Sequence, residues 1–297
     1  MTDIKVIKDP NGIVQKVVFT KPDAVYEMVI YQYKERGVIC FSVQSGCRIG
    51  CSFCGTGRKF LRDLTYNEMA EQIEYGIKEL GYPENGKETI QIMSMSMGEP
   101  LDTNWVDVER IAEKYLDLGY YFFISTVGLD NYKAYSDMLV LSGFYKRFGL
   151  QFSLHKTTDE ERMKLFHSTS GRRFISIEHM KCIAALFKAF SGGNSVHFNY
   201  ICTGKEDIDT VDRLANIGYD GVITCSVLCN TKKLKSGKTK SAEWVAGKLA
   251  EIGQDVKVFN PAGQDTIGGG CGQLLYVQEY MKKLKRGKED LCIQDQK

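Results

Sequence analysis

Two patterns of hydrophobic and polar residues divide the chain. Near the N-terminus, apolar and polar residues alternate around turn residues, which predicts antiparallel strands at Ile4–Ile7, Ile13–Phe19 and Ala24–Tyr33. From Val38 onward, short apolar runs are separated by longer stretches with helical spacing. We therefore predict a β extension over residues 1–37 and an α/β domain over residues 38–297.

Six apolar runs and six helical stretches make up the second part. The predicted strands are Val38–Val43, Thr89–Met97, Tyr121–Ser125, Phe148–Leu154, Ser195–Cys202 and Gly221–Leu228. The predicted helices, several of which follow a capping residue, are Tyr66–Leu80, Asn104–Leu118, Asn131–Leu141, Ile177–Phe190, Asp207–Ile217 and Ser241–Ile252. Because parallel β-α-β crossovers are right-handed, we expect the sheet to curl into a full or partial barrel, with functional loops at the C-terminal ends of the strands.

Composition narrows the class of protein. With 43% hydrophobic and 26% charged residues, the chain is typical of a globular protein. It has neither a signal-peptide pattern nor a membrane-length apolar run, so we expect a cytoplasmic location and no membrane partner. The net charge of +2 neither supports nor excludes RNA binding. Two basic stretches, 232–240 and 282–286, are typical of solvated surface, with phosphate binding as the alternative.

Three of the ten cysteines, Cys47, Cys51 and Cys54, lie within eight residues, directly after the first predicted barrel strand. Three thiolates at this spacing can hold a 4Fe-4S cluster and leave one iron open for a further ligand. Structural zinc is the alternative, but it requires a closed set of four ligands. The only candidate partner pair is Cys225 and Cys229, and Cys225 lies in an apolar strand, where a buried thiol is ordinary.

The Cys-x-x-x-Cys-x-aromatic-Cys spacing resembles the signature of the radical S-adenosylmethionine (SAM) superfamily. Further motifs follow in order and resemble the RlmN/Cfr dual-cysteine RNA adenine methyltransferases: Cys40–Cys47, Cys54–Gly57, Met97–Pro100, Ser125–Gly128, Phe152–His155 and Cys271–Leu274. The resemblance covers roughly residues 24 to 276. It implies a partial (β/α)6 barrel, a 4Fe-4S cluster and SAM as cofactors, and methylation of adenine at carbon 2 or carbon 8.

The resemblance also assigns the catalytic residues. One SAM methylates Cys271, and the adenosyl radical from a second SAM removes hydrogen from that methyl group, so that the carbon adds to adenine. Cys40 then forms a disulfide with Cys271 and releases the product, while Glu27 matches a proton acceptor. The implied electron donor is a flavodoxin or ferredoxin, and we expect a monomer.

The residues implied to contact SAM are Gly98, Glu99, Ser125, Ser153, Leu154, His155 and Asn230. The match at Asn230 lacks the aromatic and proline residues usual around it in the family.

Two departures from the family concern the substrate. Only 39 residues precede Cys40, whereas family members carry a helical RNA-recognition domain there, so we expect this accessory domain to be missing. The segment Asp265–Gly270 ends in three glycines, which suit either a movable arm that carries Cys271 or a plain flexible loop. A nucleotide, another small molecule or a peptide therefore stays open as the substrate. A non-catalytic cluster or zinc protein is the remaining alternative.

Overall fold

The computed structural model describes residues 2–57, 59–81, 89–166, 171–229, 239–270, 272–280 and 282. Ten of the twelve strands in these ranges form one sheet with the order β1-β2-β3-β4-β7-β8-β9-β10-β11-β12. The strands are β1 (Asp3–Lys8), β2 (Val14–Lys21), β3 (Ala24–Gln32), β4 (Gly37–Cys40), β5 (Gln44–Cys47), β6 (Lys59–Asp63), β7 (Ile90–Ser94), β8 (Tyr121–Thr126), β9 (Phe148–Ser153), β10 (Val196–Cys202), β11 (Gly221–Val227) and β12 (Val256–Phe259). The helices are α1 (Tyr66–Leu80), α2 (Trp105–Asp117), α3 (Tyr132–Phe144), α4 (Asp159–Leu165), α5 (Ile177–Ser191), α6 (Ile208–Ile217) and α7 (Thr239–Glu251).

The sheet changes from antiparallel to parallel at β4. Strands β1, β2 and β3 pair antiparallel, and β3 pairs antiparallel with β4. From β4 through β7 to β12 every pairing is parallel. Among the described strands β1 and β12 do not pair, so the order stays open and the predicted partial barrel is confirmed. The domain boundary at residue 38 stays a prediction, since β3 and β4 belong to one sheet.

Local sequence accounts for the helix ends. Thr65 and Glu68 form a capping box at the start of α1, and Gly81 ends that helix in the left-handed conformation at φ 61°. The side chains of Ser176 and Asp207 accept backbone N–H groups at the starts of α5 and α6.

Alternation along the parallel strands separates the core from the site. One set of alternate residues on these strands is fully buried: Ile92, Ile124, Leu150 and Phe198. The residues next to them along the same strands face the inside of the curled sheet. No helix within the described ranges is long and apolar enough to cross a bilayer.

Candidate active site

The loop that carries Cys47, Cys51 and Cys54 connects β5 to β6, which pair as an antiparallel hairpin. Cys47 forms a bridge with Gly57, and the Ser52 N–H donates to the Leu165 carbonyl at 2.8 Å. A tight turn brings the Cys54 N–H within 3.0 Å of the Cys51 carbonyl. Backbone contacts therefore shape the loop.

Two of the three loop thiols hold their protons more tightly than a free thiol does. Burial and the neighbouring Cys54 raise the pKa of Cys47 to about 12, and burial also raises the pKa of Cys54. Metal binding has to displace these protons. In the described part of the chain, no three His, Cys, Asp or Glu side chains are grouped for a single metal ion. Three soft thiolates on one short loop suit an iron–sulfur cluster, whose ligands bind different irons.

A cavity of about 290 Å³ lies inside the curled sheet next to this loop. Cys40 from the end of β4 and Cys54 from the cysteine loop both line it. Polar residues from three adjacent strands face it: Gln151, Asn199, Thr224 and Ser226. Residues of the C-terminal segment close it on one side: Gly269, Gly270, Gly272 and Leu274. The structure thus brings Cys40, the cysteine loop and both neighbours of Cys271 to one cavity.

Ser125 and Ser153 lie near the C-terminal ends of β8 and β9. Their hydroxyl oxygens are 3.4 Å apart, and the Gln151 amide donates to Ser125 Oγ at 3.1 Å. The resemblance implies both as cofactor contacts, and they lie at the strand ends where a barrel of this kind places its functional residues; the contacts themselves stay a prediction.

His155 follows β9 and is the only non-glycine residue with positive φ in the described ranges, at 59°. Its N–H donates to the Asn199 carbonyl at 3.0 Å, and its ring lies 4.9 Å from that of Phe53 in the cysteine loop. Burial and Arg162 lower its pKa to about 3, so the imidazole is neutral at working pH. Its Nδ1 is buried and has no hydrogen-bond partner among the described residues, which leaves it available to a ligand.

Gly98 and Glu99, which the resemblance implies as SAM contacts, follow β7. Gly98 has φ 101°, and a Cβ there would lie 2.7 Å from Gln44 Cβ, so only glycine fits. The Glu99 carboxylate accepts from Thr126 Oγ1, from the Val127 N–H and from the Leu101 N–H. These bonds join the loops after β7 and β8 and occupy the side chain. Leu154 is fully buried, and its contact with SAM stays a prediction.

Glu27 lies on β3 and is fully buried. Its Oε1 accepts from the Tyr276 N–H at 2.8 Å, and its Oε2 lies 3.7 Å from Lys16 Nζ. Burial raises its pKa to about 7, although Lys16 and the Tyr276 N–H favour the carboxylate. Glu27 does not line the cavity that Cys40 and Cys54 share. Its predicted role as proton acceptor stays a prediction.

Two predicted site residues, Asn230 and Cys271, lie outside the described residues. The segment that follows Cys271 packs on the cysteine loop. The Gly55 N–H donates to the Gly272 carbonyl at 2.6 Å, and Thr56 Oγ1 donates to the Leu274 carbonyl at 2.9 Å.

Sequence reasoning missed the residues that hold this segment. Gln273 accepts from the Gly270 N–H at 2.7 Å and donates to the Gln264 carbonyl at 2.8 Å. Its place in the Cys271–Leu274 motif was the available signal. Lys16 donates to the Gly268 carbonyl, and an alternating strand gives no signal that this lysine is buried.

Comparison with known proteins identifies the family. The family model described as Radical SAM superfamily matches residues 41–218. A probable dual-specificity RNA methyltransferase RlmN from Clostridium acetobutylicum is 34% identical over 300 residues, covering 93% of this chain and 80% of the relative. The chain belongs to the RlmN-type family of radical SAM methyltransferases.

Other relatives agree with this result. The protein of the same name from Clostridium perfringens is 30% identical over 84% of this chain and 71% of its own length. A shorter match, 37% identical over 129 residues, covers 34% of the Chloroflexus aurantiacus protein of that name. A crystal structure of a radical SAM methyltransferase from Sphaerobacter thermophilus superposes with a TM-score of 0.76 at 23% identity, over 92% of this chain and 80% of that one, which supports the fold.

As a radical SAM methyltransferase, the protein uses a 4Fe-4S cluster and SAM. Cys47, Cys51 and Cys54 would hold the cluster, and the neighbouring buried Nδ1 of His155 and the strand-end serines fit a polar cofactor. When bound, the pair supplies a carbon-centred radical by reductive cleavage of SAM. The protein residues position the reactants and exclude water from them.

Proposed function

We propose that the protein transfers a methyl-derived carbon through Cys271 to carbon 2 or carbon 8 of an adenine in RNA. The observation that carries this proposal is the single cavity lined by Cys40, by Cys54 and by Gly270 and Gly272, the two neighbours of Cys271. The relatives named as RNA methyltransferases support RNA as the substrate.

The reaction divides between two thiols. After the carbon radical has added to the base, the adduct gives up the hydrogen of that ring carbon as a proton and its unpaired electron to a one-electron acceptor. The Cys40 thiolate then attacks the Cys271 sulfur, so that an S–S bond forms and the S–C bond breaks. The electron pair of the broken bond goes to the carbon, which takes up a proton and becomes a methyl group. The protein is oxidised to a disulfide, and a thiol reductant has to restore both cysteines.

Burial controls when Cys40 reacts. It raises the pKa of the Cys40 thiol to about 12, so the free thiol stays protonated and unreactive. The thiol therefore needs a base in the loaded site. Glu27, which does not line the cavity, stays the proposed proton acceptor on the family resemblance alone.

The size of the cavity limits how RNA enters. At about 290 Å³ it lies at the low end of ligand sites, so a base has to enter singly, outside its stack. Gln151, Asn199, Thr224 and Ser226 offer hydrogen bonds, which a heteroaromatic base can use. We also propose a one-electron donor of the flavodoxin or ferredoxin type.

Labelled methyl transfer tests the proposal. Anaerobically reconstituted protein is incubated with methyl-labelled SAM and either RNA or free adenine nucleotides, and the products are analysed by mass spectrometry. We expect label on an adenine carbon of RNA. The Cys40→Ala variant should retain RNA covalently bound at Cys271. The matched control Cys202→Ala changes a buried thiol outside the cavity and should release product normally.

The outcomes separate the parts of the proposal. Label confined to nucleotides would reject RNA and leave the transfer chemistry standing. Absence of label from both substrates would reject methyl transfer. Release of RNA by Cys40→Ala at the normal rate would remove Cys40 from the mechanism.

A further inference from the structure

One face of the N-terminal strands holds the C-terminal segment. Thr266 Oγ1 donates to Asp9, and Tyr31 donates to the Gly269 carbonyl at 2.8 Å. Further along, the Tyr280 hydroxyl donates to the Pro22 carbonyl at 2.7 Å. These bonds connect residues more than two hundred positions apart in sequence. The N-terminal strands and the turns between them therefore hold the chain on both sides of Cys271.

A buried ion pair lies at the centre of this face. Lys16 on β2 is 5% exposed, Glu27 on β3 is 0% exposed, and Lys16 Nζ is 3.7 Å from Glu27 Oε2. A buried pair gains little unless further hydrogen bonds complete it, and loss of one partner leaves an uncompensated charge.

Each partner also forms a hydrogen bond with the backbone of the C-terminal segment. Lys16 Nζ donates to the Gly268 carbonyl at 3.3 Å, three residues before Cys271. Glu27 Oε1 accepts the Tyr276 N–H at 2.8 Å, five residues after Cys271. Tyr276 is the first helical residue of 276–280, so Glu27 satisfies an otherwise unpaired N-terminal N–H. The Tyr276 ring also lies 5.5 Å from Lys16 Nζ.

The two attachment points restrict the residues between them. Three residues span at most about 10 Å, so a fixed Gly268 limits how far Cys271 can travel. The glycines of 268–270 have no side chains to anchor them, and such a segment loses much conformational freedom when it is ordered. Hydrogen bonds from residues outside the segment therefore have to hold it in place.

We propose that Lys16 is a positioning residue: its ion pair with Glu27 clamps both ends of segment 268–276 and keeps Gly270 and Gly272, the two neighbours of Cys271, at the shared cavity. This inference rests on the proposed function of Cys271 as the methyl carrier. It gives the N-terminal strands a role in catalysis, because they set the position of the carrier.

Thiol accessibility tests the clamp without catalysis. The cluster-free protein is treated with iodoacetamide, and alkylation of Cys271 is followed by peptide mass spectrometry. Lys16→Met keeps the length of the side chain but removes its charge, and we expect alkylation to quicken about tenfold, the effect of losing one hydrogen bond to a charged group. Glu27→Gln keeps the acceptor for Tyr276 and should give a smaller increase. Lys114→Met, which breaks an exposed pair with Glu74, is the matched control and should match wild type.

A second measurement separates positioning from loss of fold. We call the ratio of methyl transfer to SAM cleavage the coupling. In the reconstituted enzyme, Lys16→Met should lower this ratio about tenfold, and Lys16→Arg should restore part of it. A general loss of folding would lower both activities together. Unchanged Cys271 alkylation and unchanged coupling in both Lys16→Met and Glu27→Gln would overturn the clamp. Absence of a methyl group on Cys271 in the wild-type protein would instead reject the proposed function. The alkylation assay does not depend on that function, so the two failures can be told apart.

Discussion

Gly55→Ala tests the docking of the C-terminal segment on the cysteine loop. Gly55 follows Cys54, and its N–H donates to the Gly272 carbonyl at 2.6 Å. A Cβ at Gly55 would lie 2.1 Å from Leu275 Cδ2 and 2.7 Å from the Gly272 oxygen. The leucine side chain can turn away, but the carbonyl moves only with the backbone. The variant should therefore push segment 272–275 off the loop.

The contacts set the size of this effect. Overpacking costs about 1–3 kcal/mol, and loss of the hydrogen bond adds about 1 kcal/mol, so we expect the free energy of unfolding to fall by about 2–4 kcal/mol. Urea denaturation followed by circular dichroism measures this change. In parallel, alkylation of Cys271 should quicken.

Gly247→Ala provides the control. Gly247 lies in α7, and nothing is within 4 Å of its Cβ position. Alanine there should stabilise the protein by about 0.5–1 kcal/mol. If Gly55→Ala unfolds at the same urea concentration as wild type and alkylates at the same rate, the docked position of the segment is wrong.

Three further predictions concern the cluster, SAM and pH. Cys47→Ala should lose the iron and the visible absorption of the reconstituted cluster. The control Cys202→Ala changes a thiol buried on β10 and should keep both. Equal iron content in the two variants would reject the ligand assignment. Gly98 has φ 101°, and the Cβ of an alanine there would lie 2.7 Å from Gln44 Cβ. Gly98→Ala should therefore weaken SAM binding, measured by calorimetry, at least tenfold, and an unchanged affinity would place SAM elsewhere. Because the pKa of Glu27 is raised from 4.5 to about 7, the folded state holds this proton more tightly than the unfolded chain. The bound proton stabilises the apoprotein fully below pH 4.5, and this stabilisation of about 3 kcal/mol is lost as the pH rises through about 7. Denaturation curves at several pH values measure the loss, and Glu27→Gln should abolish it. The same dependence of stability on pH in both proteins would contradict the prediction.

Local sequence signals predicted most of the fold. Helix α1 was predicted at its observed ends, because Thr65, Glu68 and Gly81 mark both of them. Strands β5, β6 and β12 and helix α4 were not among the predicted elements. Strand β12 is short and half exposed at the sheet edge, and β6 shows no alternation in burial. The seven residues of α4 are mostly charged, and this helix is held through the fully buried Arg162.

The site was predictable where its chemistry is local in sequence. The three closely spaced cysteines follow from their spacing in the sequence, whereas Ser125 and Ser153 came only from the resemblance to the family and stay predicted contacts. The contact between Glu27 and Tyr276 joins residues 249 positions apart, and no local pattern indicates it. The side chain of Glu99 shows the same limit, because its three hydrogen bonds to neighbouring loops become visible only in the folded chain.

The methylation state of Cys271 tests the central claim most directly. Reconstituted wild-type protein is incubated with SAM that carries a deuterated methyl group, digested, and the peptide containing Cys271 is weighed by mass spectrometry. We predict a deuterated methyl group on Cys271 and its loss after RNA and an electron donor are added. A protein that methylates RNA while Cys271 never carries the methyl group would contradict the account.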